Sequence, residues 1–155
     1  GDGITSMHHN SAGTRISPTE IWESRNPWLV KRIEFAQDSC GAGKYRGGLG
    51  LDLEFEMLEE TFVTTVVERT KFAPWGINNG ESARANNVIL KSNNKKINVP
   101  KKTGLRLHKG DTIIFQTGGG GGYGKSSERS KSKILNDLKQ GYISEGYTKK
   151  YYPQL

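Results

Sequence analysis

The sequence predicts a β-rich α+β fold: mostly antiparallel strands, a short helix early and a longer helix late. Three observations predict it. In "LDLEFEML", residues 51–58, apolar Leu51, Leu53, Phe55 and Met57 alternate with acidic side chains, the period of a half-buried strand. Asn93-Asn94 separates two short β-prone runs, as a tight hairpin turn requires. The clearest helical spacing, "SERSKSKILNDLKQG", comes after the last β-prone run instead of alternating with strands, which argues against a parallel sheet.

Taken in order, residues 1–18 are rich in Ser, Thr, Gly and Asn and read as loop. "SPTEIWESR" reads as a short helix with Ser17 as N-cap, Pro18 at N1 and Glu20 at N3, ended by Pro27. "WLVKRIEFA" has strand-like content, with Leu29, Lys31, Ile33 and Phe35 in partial alternation. "DSCGAGKYRGGLG", residues 38–50, is a glycine-rich link. Residues 51–58 form a strand with Leu51, Leu53, Phe55 and Met57 on its apolar face. "TFVTTVVERT" is dense in β-branched residues and predicts a second strand. The short link Glu59-Glu60 predicts that these two pair as a hairpin. "NVILKS" and "KINVP" predict another, and "GLRLHKGDTIIFQT" two more strands around the turn 108–111. In the late helix Ile134, Leu135 and Leu138 share a face and Gly141 closes it. "YISEGYTKKYY" adds a helical turn. No internal repeat or domain-sized linker divides the chain, so residues 1–155 read as one region.

With 155 residues the chain suits one domain with a modest core, yet only 33% of it is hydrophobic. Three Trp, six Tyr and five Phe argue against disorder. The combination predicts part of something larger, with faces covered by partners. No run approaches the ~18 apolar residues of a membrane helix. "GDGITSMHH" lacks the features of a signal peptide, and the N-terminus reads as a cut. The single cysteine, Cys40, cannot form an internal disulfide or a cysteine zinc site and fits a reducing, cytoplasmic setting. The formal charge of +7 lies mainly in Lys91–Lys102 and Lys125–Lys150. The first of these stretches contains no aromatic stacking platform, so a solvated surface is expected and no nucleic-acid or membrane partner.

Gly119, Gly124, Lys125 and Ser126 spell G-x-x-x-x-G-K-[ST], the P-loop pattern. Five consecutive glycines make the match cheap. A P-loop also needs later parallel strands, and a helix and a tyrosine-rich tail follow instead. What the run does demand is close backbone approach, so a branched residue at Gly120 is expected to disrupt folding or assembly. His8 and His9 would point to opposite faces of a strand, and His108 sits in a turn, so no metal site is expected within the chain. His8, Arg15 and Glu20 are the candidate catalytic residues: an imidazole that titrates near neutrality, a guanidinium that can grip an anion, and a carboxylate. The alternative is that Glu20 caps the helix and pairs with Arg15. Arg46, among glycines, and Arg69, before Pro74-Trp75, are candidate substrate- or anion-binding residues, or else tie loops together.

Four segments together resemble the B-type subunits of hydantoinases and 5-oxoprolinases, with the related subunits of acetone and acetophenone carboxylases. They are Asp2, Gly3, His8, Thr14, Pro18, Glu20 and Glu23; Ser39, Gly41, Gly43, Arg46, Gly47 and Gly48; Glu68, Arg69, Pro74, Trp75 and Gly76; and the Lys-Gly-Asp turn with the glycine run. Gly13, Cys40, Asn79 and Lys125 depart from the pattern, and Lys125 completes the P-loop match. The resemblance implies the C-terminal region of a much longer subunit, inactive alone, in an ATP-dependent cyclic-amide hydrolase. The alternatives are an ATP-dependent ketone carboxylase or a non-catalytic assembly module of such a complex, which would bury His8, Arg15 and Gly118–Gly122 under a partner. It further implies an A-type partner that binds ATP and Mg²⁺ and phosphorylates a carbonyl or enolate oxygen. Any divalent metal would lie in the N-terminal portion of the subunit.

Overall fold

The computed structural model describes residues 1–5 and 17–155. In chain order the elements are α1 (Thr19–Arg25), β1 (Trp28–Phe35), β2 (Leu51–Met57), β3 (Thr61–Val66), β4 (Asn87–Ser92), β5 (Lys95–Asn98), β6 (Lys101–Leu107) and β7 (Thr112–Gln116). A single 3₁₀ turn (Ser126–Glu128), α2 (Lys131–Lys139) and α3 (Glu145–Tyr151) follow. The expected β-rich α+β fold is present, and every strand pair is antiparallel.

Five strands form one sheet in the order β1-β2-β7-β4-β5, and β3 pairs with β6 as a separate ribbon. The alternation of β2 builds the core. Phe55 stands opposite Ile113 of β7, which stands opposite Leu90 of β4. The ribbon covers this face with Val63, Leu105 and Leu107, and Trp22 of α1 closes one side. Trp22 and Trp28 both stack near Phe55, at 5.5 and 5.6 Å between centroids. Each large side chain fully buried here contributes about 1.5–3 kcal/mol.

The acidic face of β2 is matched across its neighbours: Asp52 with Arg84 at 2.7 Å, Glu54 with Lys91 at 3.1 Å and Glu56 with Lys31 at 3.1 Å. Lys91 is thus engaged within the fold. At Asn93 and Asn94, φ is +49° and +59°, the left-handed pair that the β4–β5 hairpin turn needs.

The expected β2–β3 hairpin does not form. Both edges of β2 are taken by β1 and β7, so β3 crosses to the other layer and pairs with β6. In β1, Trp28 and Val30 pack against the core while Leu29, Ile33 and Phe35 are exposed. The pairing register with β2 shifts at a bulge between Val30 and Arg32. Helix α1 begins one residue later than expected, with Pro18 at the N-cap position, so Glu20 stands at N2. Glu23 supplies the tie at that end of the fold: its Oε1 accepts from the Val30 N–H at 2.8 Å.

A second core joins the C-terminal helices to the link 38–50. Ile134, Ile143 and Tyr152 pack on Cys40, Ala42 and Leu49. Leu135, expected to share the buried face of α2, is exposed, and Asp137 is buried in its place. Gly141 has φ +72°, as the end of α2 requires. Ser144 caps α3 by accepting from the Tyr147 N–H.

Candidate functional site

Three glycine-rich segments far apart in sequence, around 39–50, 74–84 and 117–124, lie backbone against backbone. Gly41 donates to Gly120 O, Gly120 to Gly48 O, Gly122 to Glu81 O, Glu81 to Ala42 O and Ile77 to Gly122 O, all within 2.7–2.9 Å. A side chain has no room at most of these contacts. A Cβ on Gly47 would stand 1.8 Å from Gly120 O, one on Gly121 1.9 Å from Trp75 O, and one on Gly122 1.9 Å from Ala42 O. The same steric demand places glycine at the crowded axis of collagen.

This packing settles what the glycine run does. The amides of Gly118, Gly119, Gly120 and Gly122 are bonded to Asn86 Oδ1, Ser39 O, Gly48 O and Glu81 O. They are therefore spent on the fold and cannot cradle phosphates, and the segment before them is an antiparallel strand. Gly120 differs from its neighbours. It is exposed, its φ is not positive, and a Cβ there would meet nothing nearer than Gly48 N at 3.3 Å. The expected intolerance at Gly120 therefore belongs to its neighbours Gly119, Gly121 and Gly122.

Gly120 and Gly121 form the floor of an open groove of about 580 Å³. Tyr45 and Tyr123, with centroids 6.3 Å apart, stand beside it, and Gly1–Ile4 form its rim. Two of the ties that hold the N-terminal stretch run to the backbone of the glycine-rich link. Gly3 donates to Arg46 O at 2.8 Å, and Leu49 donates to Thr5 Oγ1 at 3.3 Å.

Beneath the rim lies a ring of charges. Arg129, its side chain 0% exposed, grips both oxygens of Asp2 at 2.6 and 3.2 Å and reaches Asp137 Oδ2 at 2.6 Å. Arg46 Nε donates to the other Asp137 oxygen at 3.1 Å, and its backbone N–H donates back to Asp2 at 3.1 Å. Burial opposes charge on Asp2, but the Arg129 fork outweighs it and holds the carboxyl below its usual range.

His8 and Arg15 lie outside the described residues. Glu20 is on the exposed first turn of α1. Arg46 is buried, with its guanidinium engaged by Asp137 and by Gly47 O and stacked 5.0 Å from the Tyr142 ring. Arg69 is exposed, at φ +53°, with its guanidinium 5.3 Å from the Trp75 ring. Among the described residues no hydrogen bond or ion pair joins Glu20, Arg46 and Arg69 to one another. Also among the described residues, no group of three His, Cys, Asp or Glu gathers to hold a metal. No helix there is long and apolar enough to cross a membrane. Cys40 is buried, and burial pushes its thiol up from the ordinary value, as suits a packing residue. Arg129 and Asp137 carry no local sequence signal, since both lie in a run of ordinary polar helix composition.

The profile of the Hydantoinase B/oxoprolinase family matches residues 1–126. A 5-oxoprolinase of Dictyostelium discoideum is 37% identical over 125 residues, covering 80% of this chain and 10% of that protein. The crystal structure of an ATP-dependent caprolactamase from Pseudomonas jessenii superimposes with a TM-score of 0.77 at 25% identity, covering 85% of this chain and 24% of that one. A nucleotide-free acetone carboxylase superimposes with a TM-score of 0.76 at 19% identity, covering 89% and 23%, which shows a shared fold. The chain thus spans between a tenth and a quarter of the length of these proteins. Sequence and fold agree, and the chain belongs to the hydantoinase B/oxoprolinase family.

Proposed function

We propose that the chain is the C-terminal region of an ATP-dependent cyclic-amide hydrolase of the hydantoinase/5-oxoprolinase type and contributes one wall of its substrate site. The observation that carries this reading is the groove itself. It is lined by glycine backbone and two tyrosines, with Asp2 and Arg46 also in its lining, and in sequence the segment bearing His8 and Arg15 comes directly after this rim. A planar amide ring suits the glycine part of such a surface. The 5-oxoprolinase relative supports hydrolysis, whereas the acetone carboxylase shares the fold alone.

In this reading ATP and Mg²⁺ are held by an A-type partner subunit, because the glycine amides of this chain are already spent. Any divalent metal belongs to the N-terminal portion of the subunit. Phosphorylation of the amide oxygen by ATP releases ADP and activates the ring carbon; water adds there, the C–N bond breaks as the ring nitrogen takes a proton, and the acyl phosphate left behind is hydrolysed by a second water to carboxylate and phosphate. His8 transfers a proton in that step, Arg15 holds an anionic group, and Glu20 lies at the edge of the same segment. Arg69 stays a candidate anion contact. Arg46 takes the second of its two expected roles and ties loops together. In this reading the protein is cytoplasmic, which the free buried thiol of Cys40 supports.

The test is ADP release by the chain assembled with its partner subunits, offered 5-oxoproline, hydantoin, caprolactam or acetone, with and without bicarbonate. The reading expects release that depends on a cyclic amide and is indifferent to bicarbonate. Release that needs bicarbonate and a ketone would establish the carboxylase alternative.

A further inference from the structure

We propose that Trp75, Ile77 and Tyr123 form the face on which the remainder of the B-type subunit docks, so that the docked polypeptide supplies the opposite wall of the groove. This rests on the reading above that the chain is one region of a longer subunit.

Three backbone segments lie side by side at this face. Tyr123 pairs with Tyr45 in an antiparallel bridge on one side and with Ile77 in a parallel bridge on the other. Paired residues project to the same side, so Tyr45, Tyr123 and Ile77 stand in a row. Trp75 lies two residues before Ile77, and its carbonyl oxygen lies against Gly121, two residues before Tyr123. The two segments thus step together at the period of extended chain, which puts Trp75 on the same face as Ile77. Tyr45 and Tyr123 line the groove, and Ile77 and Trp75 continue the row beyond it.

The backbone under this row is tied while its side chains face water. The Ile77 N–H donates to Gly122 O and the Tyr123 N–H to Tyr45 O, both at 2.9 Å. Asn78 steadies the Tyr123 ring by donating to its hydroxyl at 2.7 Å. Yet Trp75 is 66% exposed, Ile77 56% and Tyr123 48%. Together they present on the order of 300 Å² of surface, the scale of the largest apolar patch on an ordinary monomer, which is often a binding site.

Two features choose the occupant. The matched region is 24% of the caprolactamase chain, so in that relative most of the polypeptide lies outside it. Polypeptide seated on a face continuous with the groove buries the row and closes the groove together. The second feature is charge. Arg69 and Lys71 are exposed, and the Arg69 guanidinium stands 5.3 Å from the Trp75 ring. Among the described residues no carboxylate lies within ion-pair distance of either, and the nearby Glu68 pairs with Lys101 instead. A surface with apolar side chains against Ile77 and Trp75 and Asp or Glu against these cations is complementary to the face. A second copy of this chain is not, because it sets the same two cations, on a chain of net charge +7, against each other.

The test uses the full subunit assembled with its A-type partner. A carbodiimide joins a lysine amine to a carboxylate only where the two are in contact, so mass spectrometry of the cross-linked peptides names what faces Lys71. The expected link runs from Lys71 to an Asp or Glu of the remainder of its own subunit. Hydroxyl-radical labelling of the same assembly should modify Trp75 and Ile77 about tenfold or more slowly than in the urea-unfolded protein. The fold of this chain leaves both more than half exposed, which by itself gives no such protection. A link from Lys71 to the A-type partner, or to a second copy in a mixture of isotope-labelled and unlabelled subunits, overturns the proposal. So does a link confined to this chain's own residues, no link at all, or less than about tenfold protection of Trp75. Neither readout needs turnover, so an assembly that opens no cyclic amide ends the hydrolase reading alone, and an active assembly with an open Trp75 ends the docking face alone.

Discussion

Replacing Gly47 by Ala perturbs the glycine packing at its tightest point. The new Cβ would stand 1.8 Å from Gly120 O and 2.3 Å from Gly120 C. Reaching ordinary contact requires the two backbones to part by about 1.5 Å. That separation breaks two hydrogen bonds made by Gly120, from Gly41 N–H and to Gly48 O, both 2.8 Å long. Their loss costs about 1 kcal/mol each, and overpacking adds about 1–3 kcal/mol. The sum is about 3–5 kcal/mol, a large part of the 5–15 kcal/mol that usually holds a domain together. For a chain of this length it lowers Tm by about 6–20 °C. Gly120→Ala is the matched control. Its Cβ meets Gly48 N at 3.3 Å and nothing closer, and reduced freedom of the unfolded chain returns about 0.4–1 kcal/mol. Its stability should stay within about 1 kcal/mol of the parent in urea unfolding. Equal effects of the two substitutions, or a neutral Gly47→Ala, would refute the packing argument.

Three further outcomes are expected. Asp2 has a depressed carboxyl, so its contribution is complete above the unfolded value near 3.8 and is lost as pH falls through the folded one. Tm measured from pH 6 down to pH 2 should therefore fall less steeply in Asp2→Asn than in the parent, and identical curves would contradict the Arg129 pairing. Lys125→Ala should leave the ATP affinity of the assembly unchanged, and a tenfold loss, about 1.4 kcal/mol, would show that this lysine touches phosphate. The Cys40 thiol, buried and pushed up from 9.0, should react with iodoacetamide at pH 8 only as fast as the protein unfolds; rapid labelling of the folded chain would contradict its burial.

What the sequence made legible is what depends on neighbours along the chain. The alternation of residues 51–57, the Asn93-Asn94 turn and the spacing of the late helix each declare their element locally. The pairing of β3 does not, because it depends on both edges of β2 being occupied by strands from elsewhere. The glycines announced close backbone approach, yet which blocks meet is a long-range fact, and Gly120 cannot be told from Gly121 by composition. Arg46 was legible as an anion site or a tie, and its bond to Asp137, 91 residues away, is a long-range contact that composition does not announce. Arg129 sits in "SSERSKS", a run that reads as solvated, and is buried because Asp2 and Asp137 converge on it.

In the proposed hydrolase this chain supplies one wall of the amide-opening site and holds no nucleotide itself. Turnover of 5-oxoproline with ATP, measured for the isolated chain and for the chain assembled with the remainder of its subunit and an A-type partner, tests this most directly. Ring opening with matching ADP release is expected in the assembly and none from the chain alone. Turnover by the isolated chain, or ATP binding to it that Lys125→Ala abolishes, would contradict it.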